Sequence, residues 1–169
     1  MTTKTAAPRR LGASGPEVSP IALGCMGMAG MYGPVDEREC IATIHAALDA
    51  GVTLLDTGDF YGAGRSELII GRALADRRDR ALRSVKFGAM RSPDHQWIGF
   101  DARPAAVKNF LGYTLARLGV DHVDIYRPSR LDPAIPIEDT GNGGSEAGLG
   151  GEAVTERSIS AIDAARLAA

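Results

Sequence analysis

From Ile21 to Tyr126, short apolar runs alternate with stretches of helical period, and this alternation does most to limit the folds open to the chain. A strand that must meet a parallel neighbour needs a long crossover, so the pattern predicts βα units on a parallel sheet. The first run is Ile21-Ala22-Leu23. Before it, LGASGPEVS reads as a short hairpin with Gly15 and Pro16 in its turn and Leu11 and Val18 on its flanks, suited to plug one end of a barrel.

The units then follow in order. Asp36 and Glu39 have the spacing of a capping box, and Ile41, Ile44, His45 and Leu48 share a face of the helix they open. Gly51 supplies a left-handed stop, and residues 52–55 are β-branched enough for a second strand. A second helix is predicted over 67–75, with Leu68, Ile69 and Leu74 apolar, and the arginine-rich run 72–83 reads as a solvated helix end and loop. The third strand, 82–87, is interrupted by Arg83, Ser84 and Lys86, which require compensation if buried. Pro104 opens a third helix with Val107, Phe110, Leu111, Thr114, Leu115 and Leu118 at helical spacing, ending at Gly119. A fourth strand is expected over 122–126, and the proline-rich RPSRLDPAIPIEDT is a loop. Composition changes at Gly141. Residues 141–152 are glycine-rich and expected to be flexible, residues 153–169 recover helical character of uncertain origin, and 1–140, which carry the βα units, are read as one domain.

From a length of 169 residues one domain is expected, without a second catalytic one. A net charge of −2 gives no basic surface for nucleic acid, no window approaches a membrane span, and no secretory leader is visible, so a cytoplasmic location without nucleic-acid or membrane partners is expected. Cys25 and Cys40 do not make a metal or disulfide pattern and are read as reduced thiols, with no metal site.

Polar residues gather near the strand C-termini: Cys25, Asp56, Lys86 and Ser129. Loops converge at that end of a parallel barrel, where active sites are built. Asp56 ends an apolar run and needs a cation, which Lys86 can supply, and Tyr61 follows on the next loop. An ammonium beside a phenol favours the phenolate, so the trio has the makings of a proton-transfer site. The competing reading is structural: a strand-end Asp often caps a turn, and a lone Lys often snorkels. His45, His95 and His122 are read as helix-surface or loop residues.

The runs LGASGPEVSPIALGCMGM, DERECIATIHAALDAGVTLLDTGDFYGAGRSELIIGRAL, VKFG, RLGVDHVDIY and LDPAIPIEDT resemble the aldo-keto reductase superfamily from about residue 10 to 140. The resemblance implies an α/β fold of the TIM-type (β/α)8 barrel, NADPH held without a Rossmann motif, and reduction of an aldehyde or ketone to an alcohol. It implies Tyr61 as general acid, Lys86 tuning it and Asp56 holding Lys86. Gly24, Cys25, Met26 and Asp56 become candidate cofactor neighbours, and Tyr32, Phe60, Trp97 and Ser129 candidate pocket residues for a small carbonyl substrate.

Two departures accompany the resemblance. Ser129 stands where the family usually has a histidine. A complete barrel needs about 250 residues, so the chain is expected to be truncated to about four βα units behind an N-terminal hairpin. The alternative reading is an inactive half barrel or an interaction module that forms a homo-oligomer through its open edges.

Overall fold

The computed structural model describes residues 7–12 and 15–145. Strands β1 (Arg9–Arg10) and β2 (Glu17–Val18) pair antiparallel, and the Leu11 N–H donates to the Pro16 carbonyl at 3.0 Å, forming the expected hairpin. Four strands then form one parallel sheet in chain order: β3 (Leu23–Gly24), β4 (Leu54–Gly58), β5 (Leu82–Phe87) and β8 (Ile125–Pro128). The crossovers carry α1 (Glu37–Asp49), α2 (Arg65–Ala73) and α3 (Pro104–Leu118), giving the α/β architecture expected of one half of a barrel.

The helix signals act locally as their chemistry requires. The Asp36 carboxylate accepts from the N–H groups of Arg38 and Glu39 at 2.8 and 3.1 Å, which satisfies donors that have no carbonyl within the helix. Gly51 adopts φ 89°, a conformation that strains any side chain, and so turns the backbone off α1 towards β4. Pro104 begins α3.

Alternation along the strands divides the sheet into two faces. Leu55, Val85, Phe87 and Tyr126 join Ile44 and Leu48 of α1, Ile69 and Ile70 of α2, and Val107 and Leu111 of α3 in one core. Helices α2 and α3 approach closely at Gly71, where a Cβ would stand 2.8 Å from the Leu118 carbonyl oxygen. The other face carries Asp56, Lys86 and Arg127, none of which belongs to that core.

Several elements depart from the sequence expectations. Ile21 is 73% exposed and outside the strand. Reciprocal bonds between Ser19 and Thr53, at 2.8 and 2.9 Å, fix the chain entry so that β3 starts only at Leu23. The second strand extends past residue 55 to Gly58, which places Asp56 in mid-strand rather than at its end. Helix α2 begins at Arg65, and Ile70 is buried where Leu68 is exposed. Arg83 belongs to no solvated loop: it is 1% exposed in β5, and its Nε lies 3.6 Å from Asp124, whose carboxylate also accepts the Arg83 backbone N–H at 2.9 Å. Because Asp124 serves that role, the fourth strand runs over Ile125–Pro128 instead of 122–126.

An antiparallel hairpin not foreseen in the sequence, β6 (Ala89–Arg91) with β7 (Trp97–Phe100), lies between β5 and α3. Helix α4 (Ile137–Ser145) packs on α3 and enters the stretch expected to be flexible from Gly141. Its anchor is Thr140, which is buried and donates to the Ala102 carbonyl at 3.1 Å. The rest of that stretch, and the helix expected over 153–169, lie outside the described residues.

Candidate active site

Parallel register sets Gly58 beside Lys86 and Lys86 beside Arg127, so the polar side chains of neighbouring strands meet on the face opposite the core. Lys86 Nζ donates to Asp56 Oδ1 at 2.8 Å. Arg127 donates to the other carboxylate oxygen of Asp56 and, through Nε, to Ser84 Oγ at 3.2 Å. One carboxylate therefore joins two cations, and the group as a whole carries excess positive charge.

Tyr61 reaches this cluster from the loop after β4. Its N–H donates to the Gly58 carbonyl at 3.0 Å, and its own carbonyl accepts from Gly64 and Ser66 at the start of α2. The Asp59 N–H donates to the Lys86 carbonyl at 2.9 Å, tying the loop to β5. Lys86 Nζ consequently stands 4.8 Å from the centroid of the buried Tyr61 ring, within cation–π range. Phe60 packs edge-on against that ring, centroids 4.8 Å apart.

The loop is held from behind by buried polar contacts. Glu67, fully buried in α2, accepts from Thr114 Oγ1 at 2.7 Å and from Arg117 at 2.8 Å. Arg117 also donates to the Asp59 carbonyl at 3.3 Å, and Thr57 and Ser66 share a buried bond of 2.8 Å. These bonds lock α2 and α3 to the segment that presents Tyr61.

A cavity of about 480 Å³ opens over the cluster, lined by Met26, Phe60, Tyr61, Lys86, Trp97 and Ser129 among others. Of the pocket residues expected from the sequence, Phe60, Trp97 and Ser129 face this space. Tyr32 does not: it is 78% exposed and packs beside Gly27. The Ser129 N–H extends the ladder by donating to the Phe87 carbonyl at 2.8 Å, while its Oγ is buried with no hydrogen-bond partner among the described residues.

The three candidate cofactor neighbours after β3 separate. Met26 lines the cavity, and Gly24 is exposed with open space beside its Cα. Cys25 is fully buried in the core and meets the site through its backbone, its N–H donating to the Asp56 carbonyl at 2.8 Å. Burial and the Asp56 charge push its thiol up to about 12, so it stays neutral and unreactive. Among the described residues, no cluster of His, Cys, Asp or Glu is arranged to hold a metal. No helix there is long and apolar enough to cross a membrane.

Sequence reasoning passed over Arg127 and Arg91. The signal for Arg127 is its two-residue spacing from Ser129, which sets both on one side of an extended chain; Arg91 lies on the unforeseen hairpin.

The model of the Aldo/keto reductase family matches residues 20–149. A probable aldo-keto reductase of Glycine max is 38% identical over 144 residues, covering 83% of this chain and 41% of that protein. The structure superposes on an aldo-keto reductase from Bacillus halodurans, described as a holo form, with TM-score 0.75 at 28% identity over 83% of this chain and 46% of that one. A glycerol dehydrogenase from Gluconobacter oxydans gives TM-score 0.71 at 31% identity, covering 80% and 43% respectively. The chain thus spans less than half the length of each of these relatives.

Proposed function

This chain belongs to the aldo/keto reductase family, and on that premise we propose that its cluster of Asp56, Tyr61 and Lys86 is a carbonyl-reduction site in which Tyr61 is the proton donor and NADPH the reductant. The observation that carries the reading is the position of Lys86, 2.8 Å from Asp56 and 4.8 Å from the Tyr61 ring centroid. When a carbonyl becomes an alcohol, its oxygen gains a proton. Tyr61 Oη releases that proton, and the ammonium stabilises the negative charge left on the phenol. Asp56 keeps Lys86 in place and compensates its charge.

The residues present fit the redox end of a nicotinamide. Met26 borders the cavity over Tyr61 and Lys86. Gly24 leaves open space at the end of β3. NADPH, when bound, supplies the hydride for the carbonyl carbon. Cys25 does not line that cavity, and only its backbone N–H reaches the site, at the Asp56 carbonyl.

Ser129 is shorter than an imidazole and holds the carbonyl oxygen less firmly, so orientation falls more heavily on Tyr61. The substrate class is a small aldehyde or ketone. Tyr61→Phe is expected to lower NADPH-dependent carbonyl reduction by about 100-fold or more while leaving NADPH affinity within about twofold, since a positioned general acid contributes on that scale. Steady-state rates with a panel of small aldehydes, alongside cofactor titration, test it. Equal rates in the variant would remove Tyr61 from the role.

A further inference from the structure

The cavity at the strand ends holds more positive charge than proton transfer uses. Lys86, Arg91 and Arg130 line it, and no Asp or Glu side chain among the described residues does. The chain as a whole is slightly acidic, at −2, so this concentration is local. Lys86 is paired with Asp56, whose second oxygen takes Arg127. Arg91 and Arg130 have no such partner: among the described residues neither forms an ion pair. Arg91 donates to the His95 carbonyl at 2.8 Å and Arg130 to the Ser129 carbonyl at 2.9 Å.

Arg91 Nε is buried without a hydrogen-bond partner among the described residues, as is Ser129 Oγ. Buried donors are nearly always satisfied, and one without a partner on a residue that lines a cavity points to an acceptor supplied there. The guanidinium is held in position, its central carbon 5.9 Å from the Trp97 ring centroid, on a hairpin whose Trp97 and Phe100 rings pack edge to face at 4.6 Å. A planar fork of this kind matches a carboxylate better than it matches a neutral group.

We propose that Arg91 and Arg130 bind the anionic end of the carbonyl compound reduced at Tyr61, so that the site prefers oxo acids to neutral aldehydes and ketones. The identification of the ligand as a carbonyl compound rests on the function proposed above; the anion site rests on the arginines.

Trp97, the only tryptophan, lines the cavity and reports binding directly. Its fluorescence is titrated in the 169-residue protein, without NADPH and at fixed ionic strength, with 4-oxopentanoate and with its methyl ester. The acid is expected to bind at least tenfold more tightly. Arg91→Met should reduce that preference to less than threefold. Arg91→Lys, which retains the charge and the stem over Trp97 but loses the fork, should keep an intermediate preference and guards against an effect of misfolding.

Equal affinity for acid and ester would overturn the proposal, as would a preference that survives Arg91→Met combined with Arg130→Met. Inorganic phosphate binding as tightly as the oxo acid would overturn recognition of the carbonyl compound. Displacement of the oxo acid by micromolar adenosine 2′,5′-bisphosphate would assign the arginines to the cofactor's phosphates and overturn it equally. Because the readout is binding, an acid preference upholds the anion site even where Tyr61→Phe costs no activity. Equal binding defeats that site even where the reductase reading holds.

Discussion

Asp59 lies two residues before Tyr61 with its carboxylate buried and short of hydrogen-bond geometry. Burial pushes its carboxyl up to about 7 and the nearby Glu67 charge adds to this, against a smaller opposing effect of Arg117 and the backbone N–H groups of Gly88 and Phe60. In the unfolded chain the same group titrates near 3.8. Between these values the folded state keeps a proton that the unfolded state has lost, so stability falls as pH rises from about 4 to about 7 and then levels off. At roughly 1.4 kcal/mol per pKa unit, the effect amounts to a few kcal/mol. Asp59→Asn keeps the shape without the titration. Its stability relative to the parent should climb across that window, as urea unfolding at a series of pH values would reveal, whereas a constant difference would exclude Asp59 as the source. Much of the site was legible at this scale: Asp56, Tyr61 and Lys86 stand out as polar residues beside apolar runs. Arg127 was hidden because a strand placed at 122–126 leaves it in a loop, while the observed strand points it at Asp56.

The strands were legible as apolar runs but their bounds were not, and β5 shows why. A run with Arg83, Ser84 and Lys86 is tolerable in a buried strand only because each meets a partner far along the chain: Asp124, Arg127 and Asp56 respectively. No local pattern contains those pairings. The β6–β7 hairpin was missed for a similar reason, since its register shift near Met90 and Arg91 and the positive φ of His95 disguise the usual alternation. Arg83 and Asp124 give the sharpest test of the tertiary compensation. Asp124→Asn leaves the Arg83 charge buried without its counterion and is expected to destabilise the fold by about 3 kcal/mol or more. Combining Arg83→Met with Asp124→Leu removes both charges from the core and should restore most of the loss. Urea midpoints with unchanged slopes would establish both effects; a neutral Asp124→Asn would mean that Arg83 escapes to solvent.

At the scale of the whole fold, the decisive feature of the described residues is a sheet whose outermost strands, β3 and β8, each pair on one side. The outer edges of β3 and β8 pair with no further strand among the described residues, and α4 packs on α3. The inner face carries the Asp56, Lys86 and Arg127 network, where a closed eight-stranded barrel packs layers of large side chains. Expressed as these 169 residues, the chain can satisfy both edges with a second copy. A two-fold axis parallel to the strands brings β8 of each copy beside β3 of the other in the parallel sense, which closes a ring and leaves no edge. Sedimentation equilibrium should therefore give a mass near twice 17.7 kDa at micromolar concentration and above. On the function proposed above, cofactor binding should follow the same closure, because one copy lines the cavity only from its own strands and hairpin. At about 100 times its dissociation constant, NADPH adds roughly 2.7 kcal/mol to the folded state, enough to raise the unfolding midpoint by several degrees. That rise should appear where the dimer is populated and shrink on dilution into the monomer. A monomeric mass throughout, with a midpoint that NADPH does not move, would exclude closure by self-pairing and leave the cofactor site in need of strands that these residues do not supply.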